Sequence, residues 1–301
     1  MRQFVRSETA EEVPLHVAAG AIPAIAIAHI RAQVRWRTAA LVLASLPMAL
    51  FFLVPLIALV LRISPQQLLT RVVSPVVAQA LQVSFSTTAV TVALTLVAGS
   101  PLAYLLARGR FPGRSVIDTL FTLPMVLPPA VAGIALLVAF GREGLLGRPL
   151  AILGLSIPFT PLAVVLAQIF VAGPFYVRAA VTAFGGVARE LEEAASVDGA
   201  SPLAVFQRIT LPLAAPALMG GAVMTWARSL GEFGATILFA GNFAGVTQTM
   251  PLAIYIGFEL DLNTAITLAV LLLGVSFAVL LVVRLVLRRD VLGQEMSGRG
   301  S

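Results

Sequence analysis

The chain has 301 residues, 59% of them hydrophobic and 11% charged, with a mean hydropathy of +0.98; soluble domains carry about twice that charge, so the composition is that of a polytopic membrane protein. Cysteine is absent and all 20 basic residues are arginine, which excludes disulfides, thiolate metal sites and cysteine nucleophiles, and also a phosphate loop, whose lysine must reach the terminal phosphates. The net charge of +6 does not point to nucleic acid, because the arginines are scattered beside apolar segments, where membrane topology accounts for them.

Residues 1–38 are expected to form a cytoplasmic tail, disordered or lying partly in the membrane interface. Its apolar run from Val17 to Ala28 contains Pro23, and about 12 residues at 1.5 Å each are too short to cross a ~30 Å hydrocarbon core. Glu8, Glu11 and Glu12 ahead of that run argue against a cleaved signal peptide, which needs a basic first region. His16 and His29 fall before the first span and read as solvated surface residues. Six segments are then apolar enough and, at about 20 residues or more, long enough to span: Ala39–Leu61, Leu81–Ala107, Val116–Phe140, Pro161–Phe184, Pro212–Ala240 and Ala265–Leu287. Arg62–Ala80, with Pro65 and Pro75, is predicted to be a helix on the membrane surface, and residues 288–301 a cytoplasmic tail. The fold class is therefore an all-α integral membrane protein.

Orientation follows from the arginines, which accumulate in cytoplasmic segments. With the N-terminus inside, Arg2, Arg6, Arg31, Arg35, Arg37, Arg108, Arg110, Arg114, Arg178, Arg189, Arg208, Arg284, Arg288, Arg289 and Arg299 face the cytoplasm. Only Arg62, Arg71, Arg142 and Arg148 lie outside, and none falls between Gly241 and Asn263. Both ends are thus expected in the cytoplasm, together with the connection after the fourth span.

That connection, from about residue 187 to 212, is the longest polar passage inside the apolar chain. Glu190–Val197 has helical composition, and Asp198-Gly199 supplies a residue that tolerates positive φ just past a helix end. Ser201-Pro202 offers an N-cap hydroxyl followed by proline at the first helical position. Leu203, Val205, Phe206 and Ile209 then form a partly amphipathic stripe, and Leu211-Pro212 opens the next span. The passage reads as a helix, a tight turn and a second helix.

Within the membrane, the fifth span carries Arg228 and Glu232, four residues apart and on one helix face. A charge at mid-bilayer costs about 2.5 to 3.5 kcal/mol on insertion scales, so such groups face the protein interior and pair. They either pair with each other, line a polar path or bridge to neighbouring helices; arginine before glutamate is the weaker order for a pair on one helix. Polar groups such as Ser229, Thr236 and Thr249, with backbone N–H groups at kinks, would make a weak, passable route for an anion. In the third span Pro124, Pro128, Pro129 and Gly133 predict a kink, which lipid tolerates only where neighbours or a water-filled cavity satisfy the freed carbonyls. The kink either borders a pathway or serves packing alone. Asp118 suits the positive end of that helix.

The Glu193-Ala194-Ala195 triplet, Gly199 four positions later, and Ile209, Leu211 and Pro212 beyond it resemble the EAA loop of ABC importer permeases; a plain solvated hairpin is the alternative. Residues 123–147 and 228–255 are similar to segments of molybdate permease subunits, in the sulfate, tungstate and molybdate branch of type I importers, chiefly through Gly231-Glu232-Phe233-Gly234-Ala235, Ala240-Gly241-Asn242 and Thr247-Gln248-Thr249 before Pro251-Leu252. Sulfate permeases usually have tyrosine and serine where Phe233 and Ala235 stand, which favours molybdate over the sulfate or tungstate alternatives.

The resemblance implies the six-helix type I permease fold in a bacterial or archaeal cytoplasmic membrane. The implied partners are a second copy of the chain, two ATP-binding cassette subunits and an extracytoplasmic oxyanion-binding protein. ATP and magnesium would sit on the ATPase, with no cofactor on this chain. Glu193 would pair with a basic residue of the ATPase. Ala194 and Ala195 would permit close packing, Asp198, Gly199 and Ala200 would form the turn that enters its groove, and Phe206 and Ile209 would fasten the second helix to the permease body. A self-contained secondary transporter, with Glu232 as its lone coupling carboxylate, is the rival reading. A membrane enzyme lacks any cluster of catalytic groups at depth.

Overall fold

The computed structural model describes residues 24–297, and every regular element among them is helical. The expectations for residues 1–23, His16 included, and for 298–301 lie outside the described residues. The chain divides into two units, up to Ala58 and from Leu59 on. The described part of the first is helix, the bulk of α1 (Ala24–Leu61), which contains the membrane-crossing stretch Ala40–Leu61. It begins at Ala24 instead of Ala39, so residues 24–38 are helical and not disordered. Ala24, Ala26, Ala28 and Ala32 favour the helical state.

The second unit starts with α2 (Pro65–Val72), a short amphipathic helix closed by a capping box between Ser64 and Gln67. It is followed by α3 (Pro75–Arg108). The buried face of α3 recurs at helical spacing and is made of small and hydroxylated side chains, among them Ser84, Thr87, Thr88, Thr91, Thr95, Gly99 and Ala103. Small residues let helix backbones approach where lipid supplies no hydrophobic drive between helices. Helix α7 (Pro161–Gly186) takes up that face: a Cβ on Gly99 would lie 3.2 Å from the Tyr176 ring. On its other side α7 holds α10 (Leu211–Leu230), where a Cβ on Gly221 would come within 2.7 Å of Ala179. Gln168, fully buried, accepts from the Thr91 hydroxyl at 2.8 Å and donates to the Ser229 carbonyl at 3.2 Å, so one side chain ties α3, α7 and α10.

Two expected spans are broken. The third is α4 (Arg114–Thr122), continued by a 3-10 turn to Met125, and α5 (Pro129–Phe140), with a bend of 115° between them. Pro124, Pro128 and Pro129 remove three backbone donors around the break, so the bend is far larger than a kink. The fifth ends at Leu230 instead of Ala240: the chain leaves the helix at Gly231 and begins α11 (Gly234–Phe239). Glu232 accepts from the Ala235 N–H at 2.9 Å, giving that new helix start a partner that a continuous α10 would not need.

Between α5 and α7 lies the one-and-a-half-turn α6 (Gly147–Ile152). After α11 an irregular stretch leads to α12 (Met250–Leu260), whose 11 residues rise about 16 Å and cannot span a bilayer. Met250 and Ala253 pack into a buried cluster with Val77, Ala80 and Leu268. The arginine distribution assigned this stretch to an external connection. The last helix, α13 (Leu262–Ser297), runs past the expected end at Leu287, so residues 288–297 are helical. Among the described residues five helices are long and apolar enough to cross a membrane, or six if the bent α4–α5 pair is one span.

Candidate coupling loop and intramembrane charge pair

The polar passage folds as its residue types demand. Helix α8 (Arg189–Val197) has Glu190 and Glu192 in its first turn, where carboxylates complement the exposed N–H groups. It ends in a Schellman motif: Gly199 N–H donates to Ser196 at 3.1 Å and Ala200 N–H to Ala195 at 3.0 Å, with Gly199 at φ +88°. Ser201 caps α9 (Pro202–Val205), accepting from Ala204 N–H at 3.3 Å. One turn of π-helix, Phe206–Thr210, then joins α9 to α10. Such turns recur at functional sites because they re-aim side chains inside a continuous helix.

Glu193, Ala194, Asp198 and Gly199 are exposed, while Ala195 and Ala200 are half-buried. Among the described residues Glu193 enters no ion pair. Phe206 packs edge-on against Tyr104 at 5.2 Å between ring centres and tilted against Phe184 at 6.1 Å, so the second helix is fastened to α3 and α7. Ile209 is half-buried beside it, and Leu211 and Pro212 are exposed at the start of α10.

The residue that holds the loop internally is Glu192, which sequence reasoning did not single out. Its Oε1 accepts from Arg108 Nη2 at 3.2 Å and from the Thr210 hydroxyl at 2.6 Å. The same Nη2 donates to the Val187 carbonyl at 2.7 Å. In the sequence Glu192 is one acid in a run and Arg108 one topological charge among many, so no local pattern joins them. Asp118, read as a helix-end charge, accepts from Arg178 Nη1 at 2.8 and 3.0 Å. At the other end of α3, Arg71 Nη1 donates to Asp261 at 2.7 Å and to Thr264 at 3.0 Å. The Thr264 hydroxyl first, and Arg71 second, hold the Asp261 carboxyl down from 3.8 to about 2.

Inside the bundle, Arg228 and Glu232 pair with each other at 2.7 Å, against the expectation that their order favours other helices. The break after Leu230 removes the regular helix geometry on which that preference rests. Glu232 is 1% exposed and Arg228 29%. The arginine thus keeps an open flank while its counter-ion is sealed. The Ser229, Thr236 and Thr249 hydroxyls are buried and, among the described residues, without hydrogen-bond partners. The α5 bend comes to the same place: a Cβ on Gly234 would lie 2.9 Å from Pro129, and one on Gly133 2.9 Å from the Ala235 backbone. Gly133 is therefore required by close helix packing. The arrangement can present one partly neutralised cation and several hydroxyls to an anion, but holds no nucleophile paired with a base.

A family described as binding-protein-dependent transport system inner membrane components matches residues 99–290. A "Molybdenum transport system permease protein ModB" of Mycobacterium tuberculosis is 44% identical over 233 residues, covering 77% of this chain and 88% of that protein. A "Probable molybdenum ABC transporter permease protein" of Haloferax volcanii is 39% identical over 251 residues, covering 82% and 89%. A solved bacterial ABC transporter involved in the import of the acidic polysaccharide alginate superposes with a TM-score of 0.68 at 18% identity, covering 85% of this chain and 96% of that one, and so shares its fold. The match over residues 99–290 takes in the polar passage, the charge pair, α4 to α12 and most of α13, and the chain belongs to the binding-protein-dependent transport system inner membrane components.

Proposed function

We propose that this chain is the permease subunit of an ATP-driven importer for molybdate, working as a homodimer with two copies of a separate ATPase and an extracytoplasmic binding protein, in a bacterial or archaeal cytoplasmic membrane with both termini inside. The observation that carries the reading is the exposed helix, Schellman turn and capped second helix at Arg189–Val205, shaped to enter a groove on a partner. The names of the relatives support molybdenum as cargo. ATP and magnesium bind the partner, whose closure draws the two loops together and opens the membrane cavity outward; hydrolysis resets it. Arg228, Ser229, Thr236 and the bend at Pro128-Pro129 border the anion path, where weak polar contacts let an ion pass. Selectivity among tetrahedral oxyanions then falls mainly to the binding protein.

The test is uptake of labelled molybdate into proteoliposomes that hold this chain with its co-purifying ATPase and binding protein. Uptake should require ATP and the binding protein, and tungstate should compete far better than sulfate. Equal competition by sulfate moves the cargo to another oxyanion, and uptake without ATP refutes the importer reading.

A further inference from the structure

The coupling helix has little hold on the membrane body. No residue of α8 is buried, and it packs mainly against α9 and the π-turn. A helix pushed by a partner transmits that push only through contacts that resist it. Of the α8 side chains, Glu192 alone forms an ion pair among the described residues, and that contact is sheltered, with Arg108 13% and Glu192 17% exposed. Hydrogen bonds between ionised groups are the stronger kind, and partial burial protects this one from the screening that makes surface pairs weak.

The contact reaches four segments through two side chains. Arg108 stands in the last turn of α3, where a cation complements the exposed carbonyls. It also takes the carbonyl of Val187, the residue that closes α7. The single oxygen Oε1 of Glu192 receives both Arg108 and the buried Thr210 hydroxyl, which ends the π-turn and precedes α10. Beneath it, Tyr104 meets Phe184 at 5.5 Å and Phe206 at 5.2 Å, so the layer under the clasp is packed as well.

We propose that Arg108 and Glu192 are positioning residues of the import cycle. They form a clasp that gears α8 to α3, α7 and α10, so that displacement of α8 by the ATPase moves the membrane helices instead of being absorbed by the loop. Thr210 relays the same displacement into α10, whose far end carries Arg228. The proposal rests on the importer reading above and adds to it which residues convert docking into motion.

The experiment measures oxyanion uptake and phosphate release together, in proteoliposomes of the complete complex carrying Glu192→Gln, Arg108→Gln, both, or Thr210→Val. In each glutamine variant the ATPase should co-purify as in wild type and ATP hydrolysis should persist, while uptake per ATP falls about tenfold, and no further in the double variant. Arg108→Lys, which keeps the charge without the fork, should recover part of the loss. A wild-type ratio of uptake to ATP in either single variant overturns the clasp, as do losses that multiply in the double variant. Loss of co-purification in Glu192→Gln also overturns it, by making Glu192 a docking residue. Should the glutamine variants fail to fold or insert into the membrane, Thr210→Val removes one hydroxyl at nearly constant volume; about a threefold fall in the ratio supports the relay and an unchanged ratio refutes it. The ratio is read with whichever oxyanion the wild-type complex imports, so a wrong cargo does not disturb the result, whereas wild-type import without ATP refutes the importer reading by itself.

Discussion

Glu232 divides its two oxygens between two tasks: Oε1 accepts the Ala235 N–H that starts α11, and Oε2 faces the Arg228 guanidinium. Because the carboxylate is 1% exposed, removing its counter-ion leaves a charge that water cannot reach. Arg228→Ala should cost about 3 kcal/mol, near the lower end for a broken buried pair because the arginine is partly solvated, and Arg228→Ala/Glu232→Ala should recover part of it, in thermal unfolding of the detergent-solubilised protein. Transport separates the two roles further. A double variant that regains stability and uptake makes the pair structural, whereas one that regains stability alone keeps Arg228 on the anion path. Gly133 shows the same limit of residue-level reading: its value lies in the absent Cβ, which would stand 2.9 Å from the Ala235 backbone, and no residue type announces that.

At the scale of elements, one charged contact holds the end of α3 and another joins α2 to the start of α13. Arg108 and Glu192 make the first, and Arg71 with Asp261 and Thr264 the second. Asp261 binds its proton more weakly in the folded chain, at about 2 instead of 3.8, so its ionised form favours this arrangement. That contribution is complete above the ordinary carboxylate value and is lost as pH falls from about 4 toward about 2. The separation of spin labels on α2 and α13, introduced into a chain free of native cysteine, should therefore stay constant from neutral pH down to about 5 and widen below about 4. Asp261→Asn should abolish the transition, and a transition that persists in that variant assigns it to other groups.

At the scale of the whole molecule, the fold presents α8 outward from a bundle whose helices meet through glycine, alanine and threonine. On the importer reading proposed above, a small exposed face would govern assembly with the ATPase. Glu193→Lys reverses one charge there without touching the clasp or any helix core. It should weaken ATPase docking by about 2 kcal/mol, about thirtyfold in affinity, while the chain inserts normally. Pull-down of the ATPase over a salt series measures it, and undiminished recovery at every salt concentration would remove Glu193 from the interface.

What the sequence determined by itself was whatever short-range chemistry controls. Apolar length set the membrane-crossing segments, arginine placement supported one orientation, and Gly199, Ser201 and Pro202 dictated the helix, turn and cap of the coupling passage, each through a constraint acting within a few residues. Proline marked where the third span would yield, but only packing decided that it turns through 115°. Tertiary structure alone decided the end of α10 at Leu230, the docking of α12 onto α3 and α13, and the partnership of Arg108 with Glu192 across 84 residues. Those outcomes depend on which groups meet when the helices close, and a hydrogen bond between distant residues leaves no period, spacing or composition in the chain that makes it.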